Sequence, residues 1–151
     1  MNQFDHRLAA KKVLLSPLGS SQGLLYTALM LLRPDLLVTL TSKRFESDVG
    51  KVIEKAGAVD CRIVLMHDVF IGFDETEALV AKFKGFIDQG DSVSINLTGG
   101  TTAMQWVMQA AFESLRSESA NVKRVAFIDR RDSNEQKLEP WVVGEIYRID
   151  K

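Results

Sequence analysis

Two short loops concentrate the residue types that can handle a phosphorylated ligand. One is "SPLGSSQG" at 16–23 and the other is "TGGTT" at 98–102. Each stands directly before a stretch with helical spacing. The first turn of a helix presents backbone N–H groups that lack intrahelical acceptors, together with partial positive charge, so it attracts anions. Gly19, Gly23, Gly99 and Gly100 let the main chain come close to a ligand. The hydroxyls of Ser20, Ser21, Thr98, Thr101 and Thr102 can donate to phosphate oxygens or to base and ribose atoms. Either loop alone reads equally well as a capped turn. The pair gains meaning if the fold brings both to one crevice.

Other chemistry-bearing residues are scattered. Lys43 and Arg44 follow one β-type run, and Arg130 and Arg131 follow another. They are either solvated loop charges or a ring of cations around a polyanion. Asp68, Asp74 and Glu75 could orient a base or a partner, but they form no recognisable carboxylate metal site. His6 and His67 lie far apart without ligand spacing; His67, at a strand end, could face a ligand. Neither loop matches G-x-G-x-x-G, G-x-x-x-x-G-K-[ST] or G-x-S-x-G, so the common dinucleotide, P-loop and hydrolase-elbow motifs are missing. No metal and no cofactor is expected.

The elements that must position the loops follow from hydrophobic periodicity. β-type runs are predicted at 13–16, 36–41, 62–67, 92–97, 124–129 and 141–149. Helical spacing is predicted over 20–32, 45–56, 74–89 and 101–115, with Asp74 as an N-cap and Gly90 beyond the end of its helix. Such alternation predicts an α/β, Rossmann-like, doubly wound and mainly parallel sheet of about six strands, with helices on both faces. For the strand order 3-2-1-4-5 the binding crevice lies between strands one and four. Those are the strands that precede the two loops.

At 151 residues, with 46% hydrophobic residues, the chain reads as one domain over 1–151, with 1–11 frayed. A formal net charge of −1 argues against a broad surface for double-stranded nucleic acid, so any anion site must be local. The lone Cys61 excludes an internal disulfide and reads as a small core residue. No apolar run approaches the roughly 20 residues of a membrane span, and the opening "MNQFDHRLAAKK" lacks the core of a signal peptide, so a cytoplasmic location is expected. The first helix is apolar nearly all round, from Leu24 to Leu32, where a surface helix needs one stripe. The surplus predicts a homodimer through this helix, or else cover from within the domain.

Taken together, "VLLSPLGSSQGLLYTAL" and "INLTGGTTAM" resemble the CRISPR-associated Rossmann fold (CARF) family. The resemblance covers the order of elements over nearly the whole chain, and its specific part is the two loops. The family's first loop reads roughly Leu-Gly-Thr-Ser-Pro-Gly, against Leu18-Gly19-Ser20-Ser21-Gln22-Gly23 here. Its second reads Thr-Gly-Gly-Thr-Lys, against Thr98-Gly99-Gly100-Thr101-Thr102. The resemblance implies a homodimer that binds a cyclic oligoadenylate, often cyclic tetra-adenylate, across its two-fold axis.

A domain without an output module is similar to the ring nucleases, which cut this messenger of type III CRISPR defence without a metal. The products are linear and end in a 2′,3′-cyclic phosphate. On this resemblance Ser21 and Thr101 are the catalytic candidates. Leu18, Gly19, Ser20, Gln22, Thr98, Gly99, Gly100, Thr102, Lys43, Arg130 and Arg131 are the ligand-binding ones. Two positions depart from the pattern: Thr102 replaces a lysine, which Arg130 or Arg131 could substitute, and Gln22 replaces a proline. The alternatives are a non-catalytic cyclic-oligoadenylate sensor that regulates a separate protein, and a Rossmann-like enzyme for another nucleotide.

Overall fold

The computed structural model of the chain describes residues 10–118 and 121–151. The opening segment 1–9, with His6, lies outside the described residues. Six strands form one sheet in the order β3-β2-β1-β4-β5-β6. They are β1 (Lys12–Leu18), β2 (Leu36–Thr41), β3 (Asp60–Leu65), β4 (Ser92–Asn96), β5 (Val122–Ile128) and β6 (Glu145–Arg148). All neighbours pair parallel except β5 with β6, which is antiparallel. The helices are α1 (Gln22–Leu32), α2 (Glu46–Ala56), α3 (Thr76–Gly85), α4 (Thr102–Glu118) and a short α5 (Ser133–Leu138). The sequence-based fold class and the 3-2-1-4-5 order both hold, with β6 added at the edge.

Parallel strands covered on both faces must be apolar on both, and β1 and β2 are buried at nearly every position. Successive side chains go to opposite cores. Leu15, Val38, Leu40 and Ile95 pack with Phe83 of α3 and with Met104, Met108 and Phe112 of α4. Leu14, Leu37, Val125 and Phe127 pack with Leu25, Ala28 and Leu29 of α1 and with Val49 and Val52 of α2. Pro17 fits inside β1 because its pairing there is with β2 alone: the register with β4 ends at Leu15–Ile95.

Several expected boundaries move, each for a local reason. The helix expected over 74–89 starts later, at Thr76, after a single 3₁₀ turn Gly72–Glu75, and ends at Gly85. Asp74 is not its cap. Glu75 instead turns its carboxylate back to accept from the backbone N–H of His67 (2.7 Å) and Asp68 (2.8 Å). Asp68 in turn accepts from the N–H groups of Phe70 and Ile71, so these acids build a loop and have no site of their own.

The strand expected over 141–149 shrinks to Glu145–Arg148, and α5 occupies the loop before it. Asp132 caps α5 by accepting from Glu135 N at 2.9 Å. The Asp-x-x-Glu spacing at 132–135 was the available signal for that helix.

The apolar surplus of α1 is covered from within the chain. Tyr26 meets Trp141 edge-on, with ring centroids 5.5 Å apart. The hydroxyl of Thr27 accepts from Gly144 N at 3.0 Å, which lays the segment before β6 across the helix. Leu31 alone among its large apolar residues counts as exposed. Cys61 sits half-buried on the edge strand β3, and burial pushes its thiol up to about 11 against the pull of the Arg62 charge. Among the described residues no helix is long and apolar enough to cross a membrane.

Candidate ligand-binding cleft

The two loops meet at the carboxyl ends of β1 and β4, where the strand order reverses. Gly19 and Gly100 are the point of contact: a Cβ on Gly19 would stand 3.2 Å from the Cα of Gly100. Gly99 and Gly100 both take positive φ, at 92° and 73°, a conformation open chiefly to glycine. The second loop therefore folds tightly against the first. The N–H groups of Gly99, Gly100 and Thr102 have no protein acceptor among the described residues. Consecutive residues of this kind form a concavity suited to an anion.

A buried polar chain holds the two strand ends in place. The Asn96 amide, 1% exposed, donates to Ser16 Oγ at 2.9 Å, and Ser16 donates to the Pro17 carbonyl at 3.0 Å. Asn96 Oδ1 accepts from Thr98 N at 2.8 Å, and the Thr98 hydroxyl accepts from Phe127 N at 2.9 Å. Gln105, one turn into α4, reaches back to the Gly99 carbonyl at 2.7 Å. On the other side Thr41 Oγ1 donates to the Leu18 carbonyl at 2.7 Å. A buried polar side chain without such partners would be costly, so the network specifies one loop geometry. Sequence reasoning missed Ser16, Asn96 and Gln105. A polar residue inside an otherwise apolar strand, Asn96, was the visible hint.

The candidate site residues divide by what their polar groups already hold. Ser21 stands at the N-cap position of α1, yet its side chain makes no capping bond and is exposed. Ser20 is exposed beside it. Thr101 differs. Its hydroxyl donates to the Val69 carbonyl and accepts from Met104 N at 3.2 Å, which makes it the N-cap of α4. Its only proton is engaged within the fold, unlike that of Ser21, the other residue expected to be catalytic. The Thr98 hydroxyl accepts from Phe127 N but donates to no acceptor among the described residues. Leu18 is 1% exposed and belongs to the core, so its side chain cannot touch a ligand. Thr102 is exposed at the first position of α4.

Three of the four expected cations have ionic partners, and Arg44 lies over the ring of its neighbour Phe45. Lys43, 86% exposed, pairs with Glu46 at 3.1 Å. Arg130 pairs with Glu145 at 2.6 Å. Arg131 grips Asp129 at 2.7 Å and the Glu139 carbonyl at 2.8 Å, and it holds the Asp129 carboxyl below the usual carboxylate range. A ligand would have to displace these bonds, so none is a free substitute for the missing lysine at 102. His67 is exposed at the end of β3. Among the described residues no three His, Cys, Asp or Glu side chains gather into a potential metal site.

Two surfaces flank the loops. On the α1 side a cleft of about 280 Å³ is lined by Ser20, Ser21 and Gln22 opposite Asp129, Gln136 and Lys137. On the α4 side lies an apolar patch: Phe70 (75% exposed), Ile71 (73%), Trp106 (60%) and Phe73 (41%). Phe73 and Trp106 meet edge-on, with ring centroids 6.0 Å apart. The Thr101–Val69 bond joins this patch directly to the second loop.

No protein-family model matches the chain. No curated protein matches it by sequence. Solved structures do share its fold. Can2 from Sulfobacillus thermosulfidooxidans in complex with cyclic tetra-adenylate aligns with a TM-score of 0.60 and 15% identity, over 87% of this chain and 35% of that one. Enterococcus italicus Csm6 bound to cyclic hexa-2′-fluoro-hexa-dAMP aligns with a TM-score of 0.64 and 12% identity, over 94% of this chain and 42% of that one. A type III CRISPR defence DNA nuclease activated by cyclic oligoadenylate aligns with a TM-score of 0.57 and 19% identity, over 78% and 19%. Identities this low establish a common fold. The chain spans well under half the length of each of these proteins.

Proposed function

We propose that this chain is a CARF-like domain that binds a cyclic oligoadenylate, cyclic tetra-adenylate foremost, and cleaves it to end a type III CRISPR response. The observation that carries the proposal is the meeting of the two loops at Gly19 and Gly100, with the hydroxyl of Ser21 left open beside them. Three of the proteins that share the fold are each bound to, or activated by, a cyclic oligonucleotide of this kind, which supports the ligand class.

In the proposed reaction the free N–H groups of Gly99, Gly100 and Thr102 and the hydroxyl of Ser20 hold one bridging phosphate. The adjacent ribose 2′-oxygen attacks the phosphorus in line with the departing 5′-oxygen. The new bond closes a 2′,3′-cyclic phosphate, and the bond to the 5′-oxygen breaks. The proton released by the 2′-hydroxyl is balanced by the one that the 5′-oxygen takes up. Ser21 donates to a phosphate oxygen as charge develops there. Positioning and charge stabilisation of this sort account for large rate factors without covalent participation by the protein.

The ligand is shared between two copies of the chain about a two-fold axis. The patch of Phe70, Ile71, Phe73 and Trp106 supports this dimer better than α1 does, because it is exposed and joined to the second loop. A sensor that binds without cleaving is the second reading. It is favoured by the scarcity of free cations beside the phosphate loops. Incubation of excess protein with labelled cyclic tetra-adenylate in EDTA separates the two. Linear products with a 2′,3′-cyclic phosphate are expected; an intact ring after long incubation leaves the sensor. Failure to bind any cyclic oligoadenylate in calorimetry removes both.

A further inference from the structure

We infer that Lys137 supplies the free cation of this cleft and binds a phosphate of the ligand from the α5 side, opposite Ser20 and Ser21. The inference rests on the proposed function for the identity of the ligand, but the anion site has its own observations.

The cleft has two walls. The first is the start of α1. The second is α5 and the segment after it, which lies hard against that start: a Cβ on Gly23 would be 2.8 Å from the Pro140 carbonyl oxygen. Such contact needs glycine at 23 and keeps the walls at a set separation.

Short helices are marginal by themselves, yet α5 is tied at several points. Asp132 caps it. The Gln136 amide donates to the carbonyls of Arg131 at 2.8 Å and Asp129 at 3.3 Å. Arg131 reaches over its end to the Glu139 carbonyl. Lys137 is thus carried on a fixed support.

Charge then decides what the cleft takes. Asp129 lines it too, but Arg131 neutralises that carboxylate with a two-point contact. Lys43, Arg130 and Arg131 all have partners. Lys137 has no acceptor among the described residues, so its ammonium is left to attract an anion into a cleft lined also by the hydroxyls of Ser20, Ser21 and Ser133 and the amide of Gln22. The second loop, from Thr98 to Thr102, carries no cation of its own.

The test titrates wild type, Lys137→Gln, Lys137→Arg and the surface control Lys51→Gln with cyclic tetra-adenylate by calorimetry at several salt concentrations. A parallel series uses inorganic pyrophosphate. Lys137→Gln is expected to bind about tenfold more weakly at low salt, as for loss of one charge-assisted bond. Its slope of log affinity against log salt should flatten by about 0.7 to 0.9, the signature of one phosphate contact. Lys137→Arg should retain most of the affinity, and Lys51→Gln should match wild type.

Equal affinity and slope for Lys137→Gln and wild type would overturn the inference while leaving the proposed function standing. Lys137-dependent binding of pyrophosphate, with no binding of cyclic tetra-adenylate, would support the anion site and overturn the ligand assignment. Binding of neither probe by wild type would overturn both.

Discussion

Ser21 and Thr101 offer a paired test, because they carry the same chemical group in opposite circumstances. Both occupy the N-cap position of a helix. Thr101 caps α4 through Met104 N and donates to the Val69 carbonyl. Replacing it by alanine removes a cap worth about 1 kcal/mol. It also strips one partner from the Val69 carbonyl, for roughly another 1 kcal/mol. The expected loss is about 2 kcal/mol, or a fall of about 1 M in the urea midpoint at an ordinary slope. Ser21 makes no capping bond and is exposed, so Ser21→Ala should change stability by no more than about 0.5 kcal/mol.

Function should invert that order. Removing a donor aimed at developing phosphate charge lowers the rate by about a hundredfold or more, and Ser21→Ala should do so with little change in ligand affinity. Thr101→Ala should weaken binding and cleavage together, as expected when the loop loses its support. The measurements are urea unfolding, calorimetric titration and single-turnover cleavage of cyclic tetra-adenylate on the same preparations. The reasoning is refuted if Ser21→Ala unfolds about 2 kcal/mol more easily, or if Thr101→Ala is as stable as wild type.

The glycines of the second loop should respond unequally: Gly99→Ala faces mainly the strain of φ 92°, with an ordinary contact of 4.0 Å to Leu24 Cδ1, for roughly 1 kcal/mol. Gly100→Ala adds contacts of 3.1 Å to Met104 Sδ and Pro17 Cβ, so its loss should be about 2–3 kcal/mol by thermal unfolding; equal losses would contradict the contact between the loops. Arg124 pairs with Asp150 at 2.9 Å while stacking 4.1 Å from the Phe112 ring, and it holds the Asp150 carboxyl down to about 2 from an ordinary 3.8. That stabilisation is complete above pH 3.8 and is lost as pH falls through 2. Asp150→Asn should therefore lower stability by about 1–2 kcal/mol at pH 7 and nearly nothing at pH 2; a penalty independent of pH in denaturation curves would contradict it. If the proposed dimer forms through this patch, joint replacement of Phe70 and Trp106 by Glu should give a folded monomer that no longer binds cyclic oligoadenylate. A wild-type sedimentation mass of one chain at micromolar concentration would remove the two-fold from the proposed function.

Much of the architecture was determined by the sequence itself. The runs "VLL" at 13–15 and "LLV" at 36–38 put apolar side chains on both faces, and a parallel sheet covered on both sides buries them. Together with the one-sided pattern of α4, they identify the order of elements and put the two glycine-rich loops at neighbouring strand ends. The types of residue in those loops were legible too, but glycines and hydroxyls in front of a helix suit a capped turn as well as an anion site, and Thr101 proved to be such a cap. Short elements were harder. The helix α5 and the turn at Gly72–Glu75 are stabilised by side chains that reach across loops, and hydrophobic period carries no trace of such bonds.

What tertiary structure alone decided was which polar groups remain free. Eight hydroxyl and cationic side chains looked alike in the sequence: Ser20, Ser21, Thr98, Thr101, Thr102, Lys43, Arg130 and Arg131. Thr98, Thr101 and the three cations proved to hold other parts of the protein, while the two serines and Thr102 did not. Lys137 came to the cleft because the chain folds back after β5, a placement invisible at a separation of more than a hundred residues from Ser21. The physical reason is common to all of them. A hydrogen bond or ion pair is set by positions in space to within a fraction of an ångström, whereas burial and period are set by residue type and can be read along the chain.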